Sequence, residues 1–465
     1  MKIKFGTDGW RAIIAQEFTE QNVARVAEAT AKWIKQSGGN SVVVGHDCRF
    51  AGELFVHAII KVMNQYGIKV YTSEGFVSTP MVSLETVRHK AALGIIITAS
   101  HNPPSYNGFK LKGSYGGPLL PEQVQEIEDM IADECTIDVR SELATGALLE
   151  YIDMETLYVQ HAEANFDLAA IRNSPLNLAY DAMYGAGQNV MRRLFPDDVT
   201  FLHCDYNPSF NGQAPEPIHK NLKEFSDLIR LADGDIDCGL CTDGDADRIG
   251  LYNSKGEFVD SHHIILLLIH YMVKYKGIKG KVCTAFSSSV KIKVLCDHYG
   301  LPLDTVKIGF KYICGIMLKE DVLVGGEESG GIAIKGHIPE RDGIWMGLTL
   351  WEFMAKSGKS LTELIEEVYA ITGPFAFERN DLHLDEALKN KIVAKCEARE
   401  YTQFGKYKVQ RLDDMDGYKY FIDDNTWFMI RASGTEPVLR TYAEAATKEK
   451  AQDILNDAKA VLMEA

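Results

Sequence analysis

The sequence of 465 residues contains no long hydrophobic run. Its longest strongly apolar stretch, residues 264–269, is far too short to cross a bilayer. The opening residues also lack the apolar segment of a signal peptide. We therefore expect no membrane association and a cytoplasmic location.

A basic excess is absent as well. The chain has 49 Lys and Arg against 65 Asp and Glu, which gives a formal net charge of −16. Because such a surface repels polyphosphates, we expect no general nucleic-acid binding. A small anionic substrate would need a local group of arginines and lysines to overcome the overall field.

The cysteines do not form a disulfide framework, because the nine of them are odd in number and spread along the whole chain. Cys238 and Cys241 make one C-x-x-C, which resembles half of a zinc site or a redox pair. No second pair and no nearby histidine completes a zinc site. We therefore interpret both as small apolar residues of a buried strand.

The sequence does contain a threefold pattern of alternating strands and helices. Each unit begins with a short apolar strand, at 41–47, 177–183 and 281–287. A second extended segment follows a helical stretch, at 67–73, 199–205 and 302–309. A third strand leads into a polar, glycine-rich loop, at 94–103, 238–247 and 322–331. This alternation predicts three related α/β units with mixed, largely parallel sheets.

The pattern changes after about residue 365. The last part of the chain ends with a strand at 427–431, a loop, and a helix near 444–463, which predicts a smaller α+β domain. We therefore expect four domains, at 1–145, 146–252, 253–365 and 366–465. Ligands bind beyond the carboxyl ends of strands in open α/β sheets, so the three polar loops are expected to meet at one site rather than to be unrelated turns.

The first polar loop, T-A-S-H-N-P-P-S-Y-N-G-F-K, places Ser100 at the end of a buried strand, beside His101 and ten residues before Lys110. A nucleophilic serine has to be exposed, rigidly held and close to stabilising charge. The two prolines and Gly108 allow this, but a serine that caps the next helix fits this stretch equally well. The G-x-S-x-G of α/β-hydrolases is absent, and the G-K-S near the end of the third unit lacks the first glycine of a P-loop.

The second polar loop, T-D-G-D-A-D-R, puts Asp243, Asp245 and Asp247 at alternate positions. Three like charges this close repel one another unless a hard cation neutralises them, and oxygen ligands suit Mg²⁺. A solvated acidic turn is the simpler alternative, but such a cluster is costly directly after an apolar strand. A calcium EF-hand does not fit, because Arg248 and Ser254 stand where its glycine and glutamate belong. The pattern therefore predicts a metal site.

Two further loops offer ligands for a sugar and for a phosphate. In G-G-E-E-S-G-G, the residues Glu327, Glu328 and Ser329 supply acceptors and a hydroxyl, which suits sugar hydroxyls. In R-A-S-G-T-E-P-V-L-R, guanidinium, hydroxyl and backbone N–H groups could surround a phosphate. The residues of that second loop are Arg431, Ser433, Gly434, Thr435 and Arg440.

Together these loops closely resemble the four marker loops of the α-D-phosphohexomutase superfamily. T-A-S-H-N-P, D-G-D-A-D-R, G-E-E-S-G-G and R-A-S-G-T-E-P occur in that order, and the resemblance spans essentially the whole chain. The opening F-G-T-D-G-W-R, which contains Arg11, and G-F-K, which contains Lys311, match as well. The resemblance implies four domains with the active site in a central cleft.

The resemblance also implies catalytic roles. Ser100 would carry the phosphoryl group, and its phosphate would complete the Mg²⁺ site with the three aspartates. Arg248 would hold the phosphoserine region, and Lys110 would be a candidate for proton transfer. Arg11 and His101 would belong to the same catalytic centre.

For the substrate, the resemblance implies that the glutamate and serine of the third loop bind sugar hydroxyls and that the fourth loop binds the phosphate that is not reacting. The substrate-binding residues would be Arg248, Lys311, Glu327, Ser329, Arg341, Arg431, Ser433, Gly434, Thr435 and Arg440. E-E-S resembles the phosphoglucomutase branch. Gly331 stands where phosphomannomutase/phosphoglucomutases and phosphoglucosamine mutases carry His, and Arg341 stands where phosphoglucomutases usually carry Lys.

The expected activity is that of a Mg²⁺-dependent phosphoglucomutase, an isomerase of carbohydrate metabolism. It would interconvert glucose 1-phosphate and glucose 6-phosphate through a phosphoserine and an activating glucose 1,6-bisphosphate. A bifunctional phosphomannomutase/phosphoglucomutase is the alternative, and a phosphoglucosamine mutase is less favoured. A phosphatase and a non-catalytic phosphosugar sensor are the rivals from other classes. Monomer and homodimer both stay open.

Overall fold

The computed structural model describes residues 2–140, 146–432 and 438–464. The chain divides into two compact units. One consists of Met1–Cys283 and Gly309–Leu364, and the other of Thr284–Ile308 and Ile365–Ala465. Within the described ranges, no helix has both the length and the apolar character needed to cross a membrane.

The first sheet is six-stranded, with the order β1-β5-β4-β2-β3-β6. Its strands are β1 (Trp10–Ile13), β2 (Ser41–His46), β3 (Lys69–Thr72), β4 (Leu93–Ile97), β5 (Tyr106–Gly113) and β6 (Leu149–Tyr151). The helices are α1 (Glu20–Gln36), α2 (Gly52–Gln65), α3 (Thr79–Arg88) and α4 (Pro121–Asp129). Strands β2, β3, β4 and β6 run parallel, whereas β5 runs antiparallel to β4 and to β1. Every residue of β4 is buried, as expected of a sheet that is covered on both faces.

The second sheet is five-stranded, with the order β11-β10-β9-β7-β8. Its strands are β7 (Leu178–Asp181), β8 (Val199–Leu202), β9 (Cys238–Thr242), β10 (Ile249–Asn253) and β11 (Phe258–Val259). The helices are α5 (Met154–Asn165), α6 (Leu168–Arg172), α7 (Gln188–Leu194) and α8 (Lys223–Leu231). Cys238 and Cys241 are buried free thiols of β9, which confirms their interpretation as apolar residues of a strand.

The third group of elements repeats the pattern. Its strands are β12 (Lys281–Ala285), β13 (Leu303–Val306), β14 (Val322–Gly326) and β15 (Ile332–Ile334). Its helices are α9 (Ser261–His270), α10 (Lys291–Tyr299), α11 (Phe310–Met317), α12 (Gly343–Ser357) and α13 (Leu361–Thr372). Strands β14 and β15 pair antiparallel. The chain leaves the first compact unit within β12 and re-enters it just before α11.

The last region is an antiparallel five-stranded sheet with the order β16-β22-β21-β20-β19. Its strands are β16 (Ala376–His383), β19 (Arg411–Asp413), β20 (Tyr418–Asp423), β21 (Thr426–Ala432) and β22 (Val438–Ala445), and a hairpin joins β17 (Gln403–Phe404) to β18 (Tyr407–Lys408). The helices are α14 (Glu386–Glu397) and α15 (Lys448–Met463). The closing helix begins later than the sequence pattern predicts, because Glu444 still belongs to β22 and Thr447 caps the helix by accepting the Lys450 N–H.

The three α/β units share a feature that the sequence pattern did not predict. In each unit the polar loop connects the third strand to an antiparallel neighbour: β4 to β5, β9 to β10, and β14 to β15. Each loop is therefore a hairpin loop that reverses the chain at the carboxyl end of a buried strand. The sheets contain both parallel and antiparallel pairs because of these hairpin loops.

Candidate active site

Ser100 lies in the hairpin loop between β4 and β5. Its φ angle of 51° falls in the left-handed region, which costs a non-glycine residue about 1–3 kcal/mol. Its N–H donates to Thr98 Oγ1 at 2.9 Å. No helix follows, so the alternative of a helix-capping serine is wrong. The side chain is also buried rather than exposed, because it faces residues 243–248, which we call the metal loop.

A buried arginine, which the motifs did not predict, clamps residues 98–106, which we call the serine loop. Arg49 is 1% exposed. Its Nη2 donates to the carbonyl oxygens of Ser100 and Asn102 at 2.7 Å each, and its Nη1 donates to those of Pro103 and Tyr106 at 2.9 Å each. One guanidinium thus satisfies four loop carbonyls, a task that suits its fixed fork of donors.

Asp47 orients this arginine. Its Oδ2 lies 3.4 Å from Arg49 Nε and accepts the Thr98 hydroxyl at 2.5 Å. Its Oδ1 accepts the Arg49 N–H at 3.0 Å. Burial raises the pKa of Asp47 to about 6, although the charge of Arg49 acts in the opposite direction. The only sequence signal for the clamp is the D-x-R that directly follows β2.

The three aspartates predicted to bind metal lie together in the hairpin loop between β9 and β10. Asp243, Asp245 and Asp247 are fully buried, and one carboxylate oxygen of each lies within 4.8 Å of the other two. Asp245 Oδ1 and Asp247 Oδ1 accept no hydrogen bond from any residue in the described ranges. Burial, together with the charges of the other two aspartates, raises the pKa of Asp243 well above its usual value. A divalent cation would give both oxygens a partner and relieve this repulsion, so the residues present fit Mg²⁺.

The serine loop and the metal loop meet at a short hydrogen bond. Ser100 Oγ donates to Asp243 Oδ2 at 2.6 Å and lies 3.3 Å from His101 Nδ1. Burial, followed by the positive charges of Arg248 and Arg11, lowers the pKa of His101 well below its usual value. The imidazole is therefore neutral at pH 7 and can accept a proton beside the serine oxygen.

Lys110 reaches from β5 into the metal loop. Its Nζ lies 2.7 Å from Asp245 Oδ2 and 2.9 Å from both Asp247 Oδ2 and Asp8 Oδ2. Burial by itself lowers the pKa of Lys110, but the carboxylates of Asp245 and Asp247 raise it above its usual value. The ammonium therefore keeps its proton. Asp8, of the F-G-T-D-G-W-R stretch, is a further residue that the motifs did not single out.

Arg341 lies against the same carboxylates. It is 3% exposed, its Nη2 is 2.6 Å from Asp247 Oδ2, and it also pairs with Asp8. A Cβ on Gly331 would lie 2.4 Å from Arg341 Cδ, so only glycine leaves room for this side chain. Asp342 begins α12 by accepting the Trp345 N–H at 3.0 Å, which places Arg341 directly before the helix.

The third loop offers a buried and a half-buried glutamate. The Gly309 N–H donates to Glu327 Oε1 at 2.7 Å. Burial and the neighbouring charge of Glu328 raise the pKa of Glu327 to about 7. Glu328 Oε2 is a buried atom without a hydrogen-bond partner in the part of the chain that the structure describes. Ser329 is half-buried beside it.

Backbone contacts join the third loop to the metal loop. The Ile249 N–H donates to the Gly330 carbonyl at 3.1 Å, and an isolated antiparallel bridge pairs Arg248 with Gly331. The three polar loops that the sequence predicts to meet therefore do so.

Three further predicted cations lie in the same compact unit. Arg11, in β1, donates to Asn102 Oδ1 at 2.6 Å. Arg248 is buried at the end of the metal loop, where its Nη1 lies 3.8 Å from Glu216 Oε1. Lys311 lies in the first turn of α11.

The predicted phosphate loop belongs to the second compact unit. Arg431 of β21 lies opposite Arg440 of β22, and its Nη2 is 3.6 Å from Asp416 Oδ2. Both arginines have a carboxylate neighbour, since Arg440 also faces Asp381 of β16, and a pair of guanidiniums is a donor set that suits a phosphate. Residues 433–437 of this loop lie outside the described residues, and they include three of the predicted binding residues, Ser433, Gly434 and Thr435.

Four family models match the chain, all of them described as phosphoglucomutase/phosphomannomutase. The models of alpha/beta/alpha domains I, II and III and of the C-terminal domain match residues 2–137, 156–256, 260–371 and 388–461.

Curated relatives match along nearly the whole chain. A phosphoglucomutase/phosphomannomutase of Thermococcus kodakarensis is 29% identical over 97% of this chain and 96% of its own. A phosphoglucosamine mutase of Limosilactobacillus reuteri is 31% identical, with the same two coverages of 97% and 96%. A crystal structure from Thermus thermophilus, assigned as a phosphomannomutase, has a TM-score of 0.88 at 33% identity and covers 100% of this chain and 99% of that one.

Proposed function

The chain belongs to the phosphoglucomutase/phosphomannomutase family, and on this premise we propose that it interconverts glucose 1-phosphate and glucose 6-phosphate. Members of this family are Mg²⁺-dependent phosphohexomutases, which are isomerases. The observation that carries the proposal is the Ser100 hydroxyl at 2.6 Å from Asp243, within a cluster of buried carboxylates.

The reaction needs a phosphoryl group on Ser100 at the start. In the forward step, the bond from phosphorus to Ser100 Oγ breaks while a bond to the free hydroxyl oxygen of the hexose phosphate forms. The proton of that hydroxyl needs an acceptor, and the neutral imidazole of His101 is suitably close to the serine oxygen. The resulting 1,6-bisphosphate turns over and returns its other phosphoryl group to Ser100.

Positive charge supports this transfer more than covalent chemistry does. Bound Mg²⁺ would neutralise the charge that develops on the phosphoryl oxygens. Lys110 adds a fixed ammonium between Asp245 and Asp247, and because these carboxylates raise its pKa, its role would be to supply positive charge more than to release a proton. Arg11 and Arg248 would hold the phosphoserine region.

We assign sugar and phosphate recognition to the other two loops. Glu327 and Ser329 would bind sugar hydroxyls, with Lys311 and Arg341 at the same centre. The residues proposed to bind the distal phosphate are Arg431, Ser433, Gly434, Thr435 and Arg440.

Glucose 1-phosphate is our first choice of substrate because of the E-E-S of the third loop. A bifunctional mannose and glucose activity is the alternative. Glucosamine 1-phosphate is favoured by one specific observation: Glu328 carries a buried oxygen without a partner among the described residues, and a carboxylate of this kind suits an ammonium group. The match to a phosphoglucosamine mutase of similar identity supports the same candidate.

The deciding experiment compares glucose, mannose and glucosamine 1-phosphates side by side, with Mg²⁺ and added hexose bisphosphate. We expect the highest kcat/KM with glucose 1-phosphate and no net release of phosphate. Equal values for mannose would establish the bifunctional alternative. A higher kcat/KM for glucosamine 1-phosphate, lost in Glu328→Gln but kept in the exposed control Glu163→Gln, would establish a phosphoglucosamine mutase. Stoichiometric release of inorganic phosphate would make the enzyme a phosphatase.

The phosphoserine has its own test. Intact-mass measurement of the purified protein should show an increment of one phosphate, and Ser100→Ala should lack it. The variant should also lose at least about 10⁴-fold in turnover, as is usual when a nucleophile is removed. A phosphate mapped to another residue would contradict the assignment.

The distal phosphate pocket serves both half-reactions, because the two phosphates of the intermediate exchange places. Arg431→Ala should therefore impair the forward and reverse directions alike. A charge-assisted hydrogen bond contributes about 1.5–3 kcal/mol, so we expect a loss of about tenfold or more in kcat/KM. The variant should also need more added glucose 1,6-bisphosphate. Unchanged kinetics in both respects would remove this residue from the site.

A further inference from the structure

Asp181 ends β7, the place in the second sheet that corresponds to Asp47 in the first. It is 1% exposed. Its Oδ1 accepts the Met183 N–H at 2.7 Å, and its Oδ2 lies 3.0 Å from His203 Nδ1. His203 directly follows β8, which pairs in parallel with β7. The pair is separate from every residue proposed above for catalysis or binding.

The turn after Asp181 has an unusual backbone. Met183 and Tyr184 have φ angles of 48° and 60°, and His203 has a φ angle of 48°. Left-handed conformations at non-glycine residues cost about 1–3 kcal/mol each and persist only where their surroundings enforce them. Besides the backbone hydrogen bond from the Gly185 N–H to the Ala182 carbonyl, two contacts tie this turn to Asp181 and His203: the hydrogen bond from Met183 to Asp181, and one at 2.8 Å from the Tyr184 N–H to the His203 carbonyl.

The two residues after this turn, Gly185 and Ala186, pack against the backbone of the metal loop. The Ala186 N–H donates to the Gly244 carbonyl at 3.0 Å. A Cβ on Gly185 would lie 2.6 Å from the Asp243 carbonyl oxygen and 3.0 Å from Gly244 Cα. Since Gly244 stands between Asp243 and Asp245, any shift of the turn moves two of the proposed ligands.

The second ring nitrogen of His203 faces solvent. Its Nε2 lies 3.3 Å from Glu224 Oε2, and the Glu224 side chain is 71% exposed. The two sides of the imidazole therefore differ. Nδ1 faces the buried carboxylate of Asp181 and the strained turn, whereas Nε2 faces an exposed surface carboxylate. This difference allows the two contacts to be removed separately.

We propose that Asp181 and His203 are positioning residues for the magnesium-binding loop. The hydrogen bond from Nδ1 to the Asp181 carboxylate holds the turn at 182–186, and that turn fixes the backbone on both sides of Gly244. Neither side chain provides a ligand atom. The inference rests on the proposed metal-dependent function, and it extends the site to a pair that no motif marks.

The test uses two amides that differ by one methylene. In His203→Asn, the side-chain NH₂ takes the place of Nδ1 and can still donate to Asp181, and asparagine tolerates a left-handed backbone. In His203→Gln, the amide takes the place of Nε2, so Asp181 loses its donor. Glu224→Gln is the matched control on the solvent side. The measurement is the Kd of Mg²⁺ by titration calorimetry, with near-ultraviolet circular dichroism and intact mass recorded for every variant.

We expect His203→Gln to raise the Kd of Mg²⁺ about fivefold or more, and to lower kcat more than it raises KM for the hexose phosphate. His203→Asn and Glu224→Gln should stay within about twofold of the unsubstituted protein. If the pair only stabilised the fold, the thermal midpoint would change, but the Kd of Mg²⁺ would not differ between His203→Asn and His203→Gln.

Three outcomes would overturn the inference. The first is a folded His203→Gln that binds Mg²⁺ with unchanged Kd. The second is equal weakening in the Asn and Gln variants. The third is a Gln variant that does not fold beside a folded Asn variant, which would assign the pair to the fold. If the unsubstituted protein itself binds no Mg²⁺, the proposed metal-dependent function fails instead, and that result is distinct from the other three.

Discussion

The serine loop and the metal loop are held in different ways, although they leave equivalent sheets. In both sheets an aspartate at a strand end accepts the N–H of the residue two positions later: Asp47 from Arg49, and Asp181 from Met183. In the first sheet that later residue is an arginine, and its guanidinium holds four carbonyls of the serine loop. In the second sheet it is a methionine, and backbone atoms beyond it hold the metal loop.

The difference follows from charge. The serine loop presents a row of carbonyl oxygens, which a buried cation stabilises. The metal loop gathers three carboxylates, and Lys110 and Arg341 already place positive charge against two of them. A clamp made of backbone atoms fixes that loop without adding a further positive charge. One architecture thus supports a covalent site and a metal site through two kinds of contact.

The largest effect is expected from breaking the metal loop directly. Asp245→Asn should lower kcat about a thousandfold and weaken Mg²⁺ binding, because a hard cation loses a carboxylate ligand. Steady-state kinetics with titrated Mg²⁺, together with circular dichroism, measures both effects. Asp153→Asn is the control, since Asp153 is an exposed helix cap at which asparagine serves equally well. Full turnover after exhaustive chelation would contradict the metal assignment.

A smaller effect is expected from loosening the clamp on the serine loop. Arg49→Lys keeps the charge but cannot span four carbonyls, so some of them lose their donor. We expect kcat to fall about tenfold to a hundredfold, while the Kd of Mg²⁺ changes less than about twofold. The thermal midpoint should fall by about 5 °C.

Arg192→Lys is the matched control for the clamp. Arg192 Cζ lies 4.9 Å from the ring centroid of Phe201, much as Arg49 Cζ lies 5.0 Å from that of Phe210, but Arg192 donates to the Cys204 carbonyl at 3.4 Å and not to the serine loop. If both substitutions lower kcat equally, or if Arg49→Lys weakens Mg²⁺ binding as strongly as it lowers kcat, the separation of the two loops is wrong.

The smallest expected effect concerns pH. Burial raises the pKa of Asp47 to about 6, above the value of about 3.9 in an unfolded chain. The folded state therefore binds the proton more tightly, so the stability contributed by this group is complete below about pH 4 and is lost as the pH rises through about 6. Asp47→Asn should reduce the fall of the thermal midpoint between about pH 5 and pH 7.

Asp153→Asn again serves as the control for this comparison. Hydrogen bonds from Thr156 lower the pKa of Asp153, although burial raises it slightly, so its contribution changes only as the pH falls below about 4. It should leave the interval from about pH 5 to pH 7 unchanged. An Asp47→Asn variant with the full pH dependence of the unsubstituted protein would show that another group causes it.

Much of the fold and part of the candidate site could be predicted from local patterns. Runs such as the fully buried residues of β4 and β9 mark strands, and clustered carboxylates after such a strand mark a metal site. The antiparallel direction of the strand that follows each third strand was not predictable, because the pattern of burial is the same for either direction. The start of α15 was misplaced because β22 continues through residues that resemble a helix.

The sequence by itself determined the repeat of strands and helices, the placement of Ser100 and of Asp243, Asp245 and Asp247 at strand ends, and the family to which their spacing belongs. Local spacing suffices for these, because side-chain alternation and strand ends are set by near neighbours. Only the tertiary structure decided which charges meet. Lys110 and Arg341 share Asp247, although 137 residues separate Lys110 from Asp247 along the chain, and Arg341 reaches it only because Gly331 lacks a side chain. Such contacts arise from the packing of elements distant in sequence, and no local pattern encodes them.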